Sequence, residues 1–176
     1  MRCFVALELP SLFVEDVAGV CRALSEHVEG RFLPRSSFHV TLAFLGEICE
    51  SDASKAVDAI EAACEILEPV PLVSDGLGKF GRNKDATLWL GLSPEPELMQ
   101  LAQAVREELS ARGVDFDGKP FKPHITLARH AKIPDDELPS IPFPADDTAT
   151  VVKLVRSTPG PKGSVYKTLH SVELAL

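Results

Sequence analysis

Apolar positions along the chain alternate between two rhythms, one of period two and one of period 3.6, and each switch marks a new element. Residues 2–9 form a mostly apolar run stopped by Pro10, which predicts a strand. With Ser11 as N-cap, Val14, Val17, Cys21, Leu24 and Val28 then recur at helical spacing until Gly30 closes the helix. An extended piece at 31–33 and a turn at 34–37 lead to a strong strand at 38–45, ended by Gly46. Val57, Ile60, Cys64 and Leu67 mark one face of a second helix over 51–67, Pro69 and Pro71 end it, and residues 70–77 predict an edge strand. The pattern then restarts with a strand at 87–92 and Ser93 as N-cap. A helix over 97–112 carries Leu98, Leu101, Val105 and Leu109 and stops at Gly113, and a strand follows at 124–129. Residues 133–147 hold Pro134, Pro139, Pro142 and Pro144 and predict a surface loop. Strands at 148–156 and 165–174 flank a Pro-Gly turn at 159–163 as a hairpin.

The restart has a measure. Val5 to His39 spans 34 positions through one helix, and Trp89 to His124 spans 35 through another. An internal duplication follows, with repeat units at about 1–46 and 86–130 of a single domain over 1–176. The expected fold is α+β: two similar, interleaved lobes in a pseudo-twofold arrangement, each an antiparallel-rich sheet with helices outside, enclosing a central cleft.

Within the repeat the residues themselves recur. His39-Val40-Thr41-Leu42-Ala43-Phe44 is answered by His124-Ile125-Thr126-Leu127-Ala128-Arg129, and these use two of only five histidines. On a strand, residues i and i+2 share a face roughly 6.5–7 Å apart, so each copy presents an imidazole beside a hydroxyl while Val40, Leu42, Ile125 and Leu127 turn to a core. Brought face to face, His39 and His124 suit phosphodiester chemistry near neutral pH. One neutral ring removes a proton from the attacking oxygen, and one protonated ring supplies the leaving oxygen. Thr41 and Thr126 can donate to non-bridging phosphate oxygens. A lone His-x-Thr is commonly structural, but a structural histidine gains nothing from a twin with the same hydroxyl neighbour. A zinc site is the competing reading, and neither copy carries a third ligand at useful spacing. His27, His130 and His170 have no comparable company.

Composition narrows the partner. With 18 Lys and Arg against 26 Asp and Glu, the net charge of −8 excludes a protein that coats nucleic acid through many phosphate contacts. Aromatic residues at 6% are too few for an extended stacking surface. If a nucleic acid is the partner, few of its nucleotides are touched. Cys3, Cys21, Cys49 and Cys64 lie in apolar segments without a C-x-x-C pair and read as core residues of a reducing cytoplasm. Glu8 interrupts the first apolar run, and no stretch of eighteen apolar residues exists, so neither secretion nor membrane spanning is expected.

The doubled H-x-T-L resembles the 2H phosphoesterase superfamily. The wider text (residues 4–10, 39–46, 88–92 and 123–129) is similar to its RNA 2′,3′-cyclic phosphodiesterase branch, first described as a 2′-5′ RNA ligase. The resemblance spans residues 1–174. It implies metal-independent, cofactor-free opening of a terminal 2′,3′-cyclic phosphate to a 2′-phosphate; given the net charge of −8, short oligonucleotide ends or cyclic nucleotides fit better than long RNA, and a monomer is expected. His39 is then the proton donor and His124 the proton acceptor, with Thr41, Thr126 and Arg129 holding the phosphate. The alternatives are a ligase or hydrolase of 2′-5′ linkages and a non-catalytic module for RNA ends or nucleotides. Phe44 and Arg129 lie five residues after the histidines, where strict alternation would turn them to the opposite face, so a bulge or strand end must re-aim them. Phe44 is either a core aromatic or a stacking residue. Tyr166 is a cleft contact by the same resemblance, and residues 78–84, with three cations, are placed in a loop near the cleft.

Overall fold

The structure is a computed structural model that describes residues 1–135, 138 and 140–175. Strand β1, Arg2–Glu8, leads into helix α1, Ser11–Ser25. Phe13, Val17, Val20, Cys21 and Leu24 form the buried stripe of α1. Pro10, not Ser11, occupies the N-cap with extended backbone, and its carbonyl accepts from Val14 N–H at 3.0 Å. The helix stops before Gly30, which falls instead inside strand β2, Glu29–Phe32. A Cβ at Gly30 would sit 3.0 Å from Ala131 Cα, so this glycine admits a neighbouring strand rather than ending a helix.

After a single 3-10 turn at Arg35–Ser37 comes β3, His39–Glu47, then α2, Glu50–Cys64. The single edge strand expected at 70–77 is two strands: β4, Val70–Leu72, and β5, Ser74–Arg82. The cationic loop expected at 78–84 is therefore mostly β5, and only Asn83 and Lys84 turn. Gly78 serves close approach, since a Cβ there would run into the Trp89 indole. Strand β6 is Asp85–Leu92, and α3 is Pro96–Ala111 with Glu95, not Ser93, at its N-cap. Ser93 instead donates its N–H to Val73 O at 2.7 Å. Gly113 ends α3 as expected, at φ +72°, with Val114 N–H returning to Leu109 O at 3.0 Å. The remaining strands are β7, His124–Lys132; β8, Asp147–Ala149; β9, Val151–Gly160; and β10, Gly163–Glu173. Between β7 and β8 the described residues form an irregular segment that packs Ile133, Leu138 and Ile141 on the core; Pro139 lies outside the described residues.

The sheets run in the orders β10-β9-β1-β3 and β2-β7-β6-β5, every neighbouring pair antiparallel, with β4 and β8 as a separate ribbon. Helices α2 and α3 pack on each other, α2 against β9 and β10, and α3 against β3. One apolar cluster joins all three described helices to both sheets. The fold is α+β, as expected. β2, from the first half of the chain, completes the second sheet, whereas the C-terminal hairpin completes the first. Strands β3 and β7 touch although they belong to different sheets.

Of the cysteines, Cys3, Cys21 and Cys64 are buried and unbridged, and burial raises the Cys21 thiol to about 11 and the Cys64 thiol to about 12. Cys49 departs from the expectation: it is exposed, at the residue before α2.

Candidate active site

The two motif strands share one irregularity. Along β3, Val5 pairs with Ala43 and Ala6 with Thr41, leaving Leu42 as an extra residue. Along β7, Leu88 pairs with Ala128 and Trp89 with Thr126, leaving Leu127 extra in the same place. Leu42 and Ala43 are therefore both buried, as are Leu127 and Ala128, and the next residues, Phe44 and Arg129, return to the face of the histidines. Phe44 is 52% exposed, which decides between its two readings: it is not a core aromatic. Phe44, Arg129 and Tyr166 line one cavity of about 810 Å³, whose other walls include Phe4, Arg2, Arg31 and the tip of the β9–β10 hairpin.

Each imidazole is held the same way. His39 Nδ1 lies 2.8 Å from Ser37 O and His124 Nδ1 lies 2.6 Å from Lys122 O, in both cases the carbonyl two residues earlier. A carbonyl only accepts, so Nδ1–H is the donor and Nε2 is left as the working nitrogen of both rings. Beyond that tether the settings differ. His39 Nε2 meets Thr41 Oγ1 at 2.9 Å, realising the i, i+2 pairing read from the motif, and the hydroxyl donates to the neutral ring. The ring stacks on Phe4 at 4.8 Å between centroids, with Tyr166 edge-on at 5.6 Å. His124 lies edge-on to Phe80 at 5.3 Å and tilted against Trp89 at 5.8 Å. The Lys122 ammonium sits 4.6 Å from the centre of the Trp89 ring.

Both rings are pushed toward the neutral form. Burial is the main reason His39 falls to about 4, with the charges of His124 and Arg129 adding to it against the Ser37 carbonyl. Burial likewise lowers His124, with Lys122 and Arg129 adding to it and the Lys122 carbonyl opposing. The Arg129 charge thus disfavours the protonated form of both imidazoles. An arrangement of two Nε2 atoms and a guanidinium can accept a proton, donate one, and meet an anion's charge. Among the described residues no group of three or more His, Cys, Asp or Glu side chains could hold a metal ion.

Sequence reasoning missed Phe4, Lys122 and Arg31 as neighbours of the site, whereas Phe80 belongs to the 78–84 segment it placed near the cleft and meets His124. Trp89 alone left a signal, as the single tryptophan at the start of the second repeat. His130 pairs with Asp85 at 3.0 Å and His170 with Glu61 at 2.8 Å. No helix among the described residues is long and apolar enough to cross a membrane.

Residues 11–156 match the family model of the 2′-5′ RNA ligase superfamily. An RNA 2′,3′-cyclic phosphodiesterase of Thermotoga maritima is 31% identical over 98% of this chain and 95% of its own length. One from Thermus thermophilus is 32% identical over 99% of this chain and 90% of its own. Among solved structures, TT0787 of Thermus thermophilus superposes with a TM-score of 0.84 at 27% identity, covering 99% of this chain and 98% of that one. Escherichia coli LigT complexed with 3′-AMP gives 0.80 at 27%, with the same coverage. A matched model spanning most of the chain, relatives aligned nearly end to end and a shared fold lead to one conclusion: the chain belongs to the 2′-5′ RNA ligase superfamily.

Proposed function

We propose that this protein is an RNA 2′,3′-cyclic phosphodiesterase that opens a terminal 2′,3′-cyclic phosphate to a 2′-phosphate by two-histidine acid–base catalysis without a metal ion. The observation that carries the reading is the matched tether: two imidazoles with Nδ1 fixed by a carbonyl, each under the influence of Arg129. The names of the relatives support the reaction class. His124 Nε2 takes a proton from water as the water oxygen attacks phosphorus. The bond from phosphorus to O3′ breaks, and His39 Nε2–H returns a proton to O3′, leaving the phosphate on O2′. Thr41, Thr126 and Arg129 donate to the non-bridging oxygens as negative charge builds there.

The two surroundings support this division of labour. A base must rest neutral with its lone pair free. His124 Nε2 has no hydrogen-bond partner among the described residues, whereas His39 Nε2 is occupied by Thr41. His39, forced toward the neutral form by burial, becomes a strong acid once the cyclic phosphate's charge brings it a proton. The chain is read as one domain of two interleaved lobes, with units at about 1–46 and 86–130, each contributing one imidazole, and it works as a monomer. The test is turnover of RNA ending in a 2′,3′-cyclic phosphate in the presence of a chelator, with the product isomer identified. Loss of activity with chelator, or a 3′-phosphate product, would refute the reading; joining of ends as the dominant reaction would favour a ligase.

A further inference from the structure

The cavity lined by Phe44, Arg129 and Tyr166, whose Phe4 and Tyr166 walls also pack on His39, is larger than one phosphate needs, and its charge is unusual for this chain. At about 810 Å³ it lies in the upper part of the range of roughly 300–1,000 Å³ typical of small-molecule sites. Arg2, Arg31 and Arg129 line it in a protein of net charge −8. Arg31 on β2 and Arg129 on β7 are direct cross-strand partners, so two guanidinium groups stand side by side on one face. Like charges in that position destabilise a sheet unless something between them is negative. Among the described residues neither they nor Arg2 makes an ion pair or a side-chain hydrogen bond. Other arginines do: Arg35 grips Glu15 through two contacts of 2.8 and 3.2 Å, and Arg106 donates to Leu42 O and Lys119 O. The one carboxylate on the cavity wall, Asp117, is engaged by its own loop, accepting from Lys119 N–H at 3.0 Å.

Placement adds a direction. A Cβ at Gly163 would lie 3.5 Å from the Arg31 guanidinium carbon, so Arg31 reaches the tip of the β9–β10 hairpin across from its own sheet. The cavity wall thus carries Tyr166, edge-on to His39, together with Arg129, its neighbour Arg31, and Arg2. A substrate held by Arg129 at its reacting phosphate has further cationic surface ahead of it.

We propose that Arg31, with Arg2, forms a second phosphate subsite that takes the phosphodiester on the 5′ side of the terminal nucleotide, so that the protein selects oligonucleotide ends over single cyclic nucleotides. This rests on the hydrolytic reading above. Contacts to few phosphates agree with the net charge: one or two backbone phosphates are gripped and no long strand is followed.

The experiment compares three probes on the full chain: a mononucleoside 2′,3′-cyclic phosphate, a dinucleotide ending in one, and the same dinucleotide with a neutral methylphosphonate linkage. The charged dinucleotide is expected to exceed both others in kcat/KM by about tenfold or more, as for one charge-assisted hydrogen bond. In Arg31→Gln, the charged dinucleotide falls about tenfold further than the mononucleotide, and Arg31→Lys recovers part of the difference. Thermal unfolding of both variants shows that the fold is kept. If the mononucleotide is hydrolysed but the methylphosphonate dinucleotide keeps the advantage, the second base and not the phosphate is recognised, and the subsite falls. Equal losses on all three probes in Arg31→Gln sink it as well. If no probe is turned over by the unaltered protein, the hydrolytic reading itself fails.

Discussion

The two halves of the site are alike where geometry is needed and different where proton affinity is. Strands β3 and β7 share a histidine tethered through Nδ1 to the carbonyl two residues earlier, an extra residue three positions after it, and a re-aimed side chain beyond. Their surroundings diverge. His39 is packed between Phe4 and Tyr166 with Thr41 on Nε2, whereas His124 stands between Phe80 and Trp89 with a cation at hand and Nε2 free. A duplication supplies two equivalent imidazoles. Acid–base catalysis needs them inequivalent, and neighbours outside the motif make them so.

The largest expected effect tests that inequivalence directly. His39→Ala and His124→Ala should each lower kcat on a 2′,3′-cyclic phosphate by about 10²–10⁴-fold. A diester with a p-nitrophenolate leaving group, which departs without a proton, separates them: His39→Ala should recover most of its loss and His124→Ala little. Steady-state turnover of both substrates checks this, and equal recovery in the two variants would erase the division of labour. Next in size, Thr41→Val and Thr126→Val should each cost about 10- to 100-fold in kcat/KM, the value of a hydrogen bond to a charged oxygen. A larger loss in Thr41→Val would sharpen the comparison, because Thr41 also holds the His39 ring.

The shared part was legible in sequence and the divergent part was not. The paired His-x-Thr-Leu-Ala text fixes which side chains share a face, and the position of Phe44 and Arg129 demanded the bulges that Leu42 and Leu127 provide. Local periodicity carries that much because it is a property of one strand. Phe4 meets His39 only because β1 pairs with β3, and Arg31 meets Arg129 only because β2 crosses into the other sheet; no local pattern announces such pairings. Gly30 misled for a related reason: it reads locally as the end of its helix, whereas Ala131 is what requires a missing Cβ there, as the Trp89 indole does at Gly78.

The deeper burial of His39 also has a consequence for stability. Its proton affinity in the fold, about 4, lies below the usual imidazole value of 6.5, so the unfolded chain binds the proton more readily. This contribution is intact above pH 6.5 and is lost as pH falls from 6.5 toward 4. Discounted for solvent reaching the ring, the loss is about 2 kcal/mol by pH 4. Denaturant unfolding across that range should show His39→Gln with a flatter acid limb than the parent. Identical acid limbs would mean that His39 is less buried than its packing indicates.

The smallest effect concerns the cation beside His124. The Lys122 ammonium, held over the Trp89 ring, disfavours imidazolium at His124 alongside burial and Arg129. Lys122→Met keeps a long apolar chain against Phe80 and Trp89 and leaves the Lys122 backbone carbonyl that holds Nδ1 in place. Only the charge goes. The His124 ring then binds its proton at higher pH, and the acid side of the kcat/KM profile moves up toward 6.5. Activity in mildly acid buffer should fall a few-fold while activity at pH 8 changes little, because there His124 is neutral with or without the lysine. The corresponding change cannot be made beside His39, where the motif follows Ser37 and Phe38 and has no cation at the equivalent place. A Lys122→Met profile superimposable on the parent's would therefore remove charge as the source of the asymmetry and leave burial and the Thr41 bond to account for it alone.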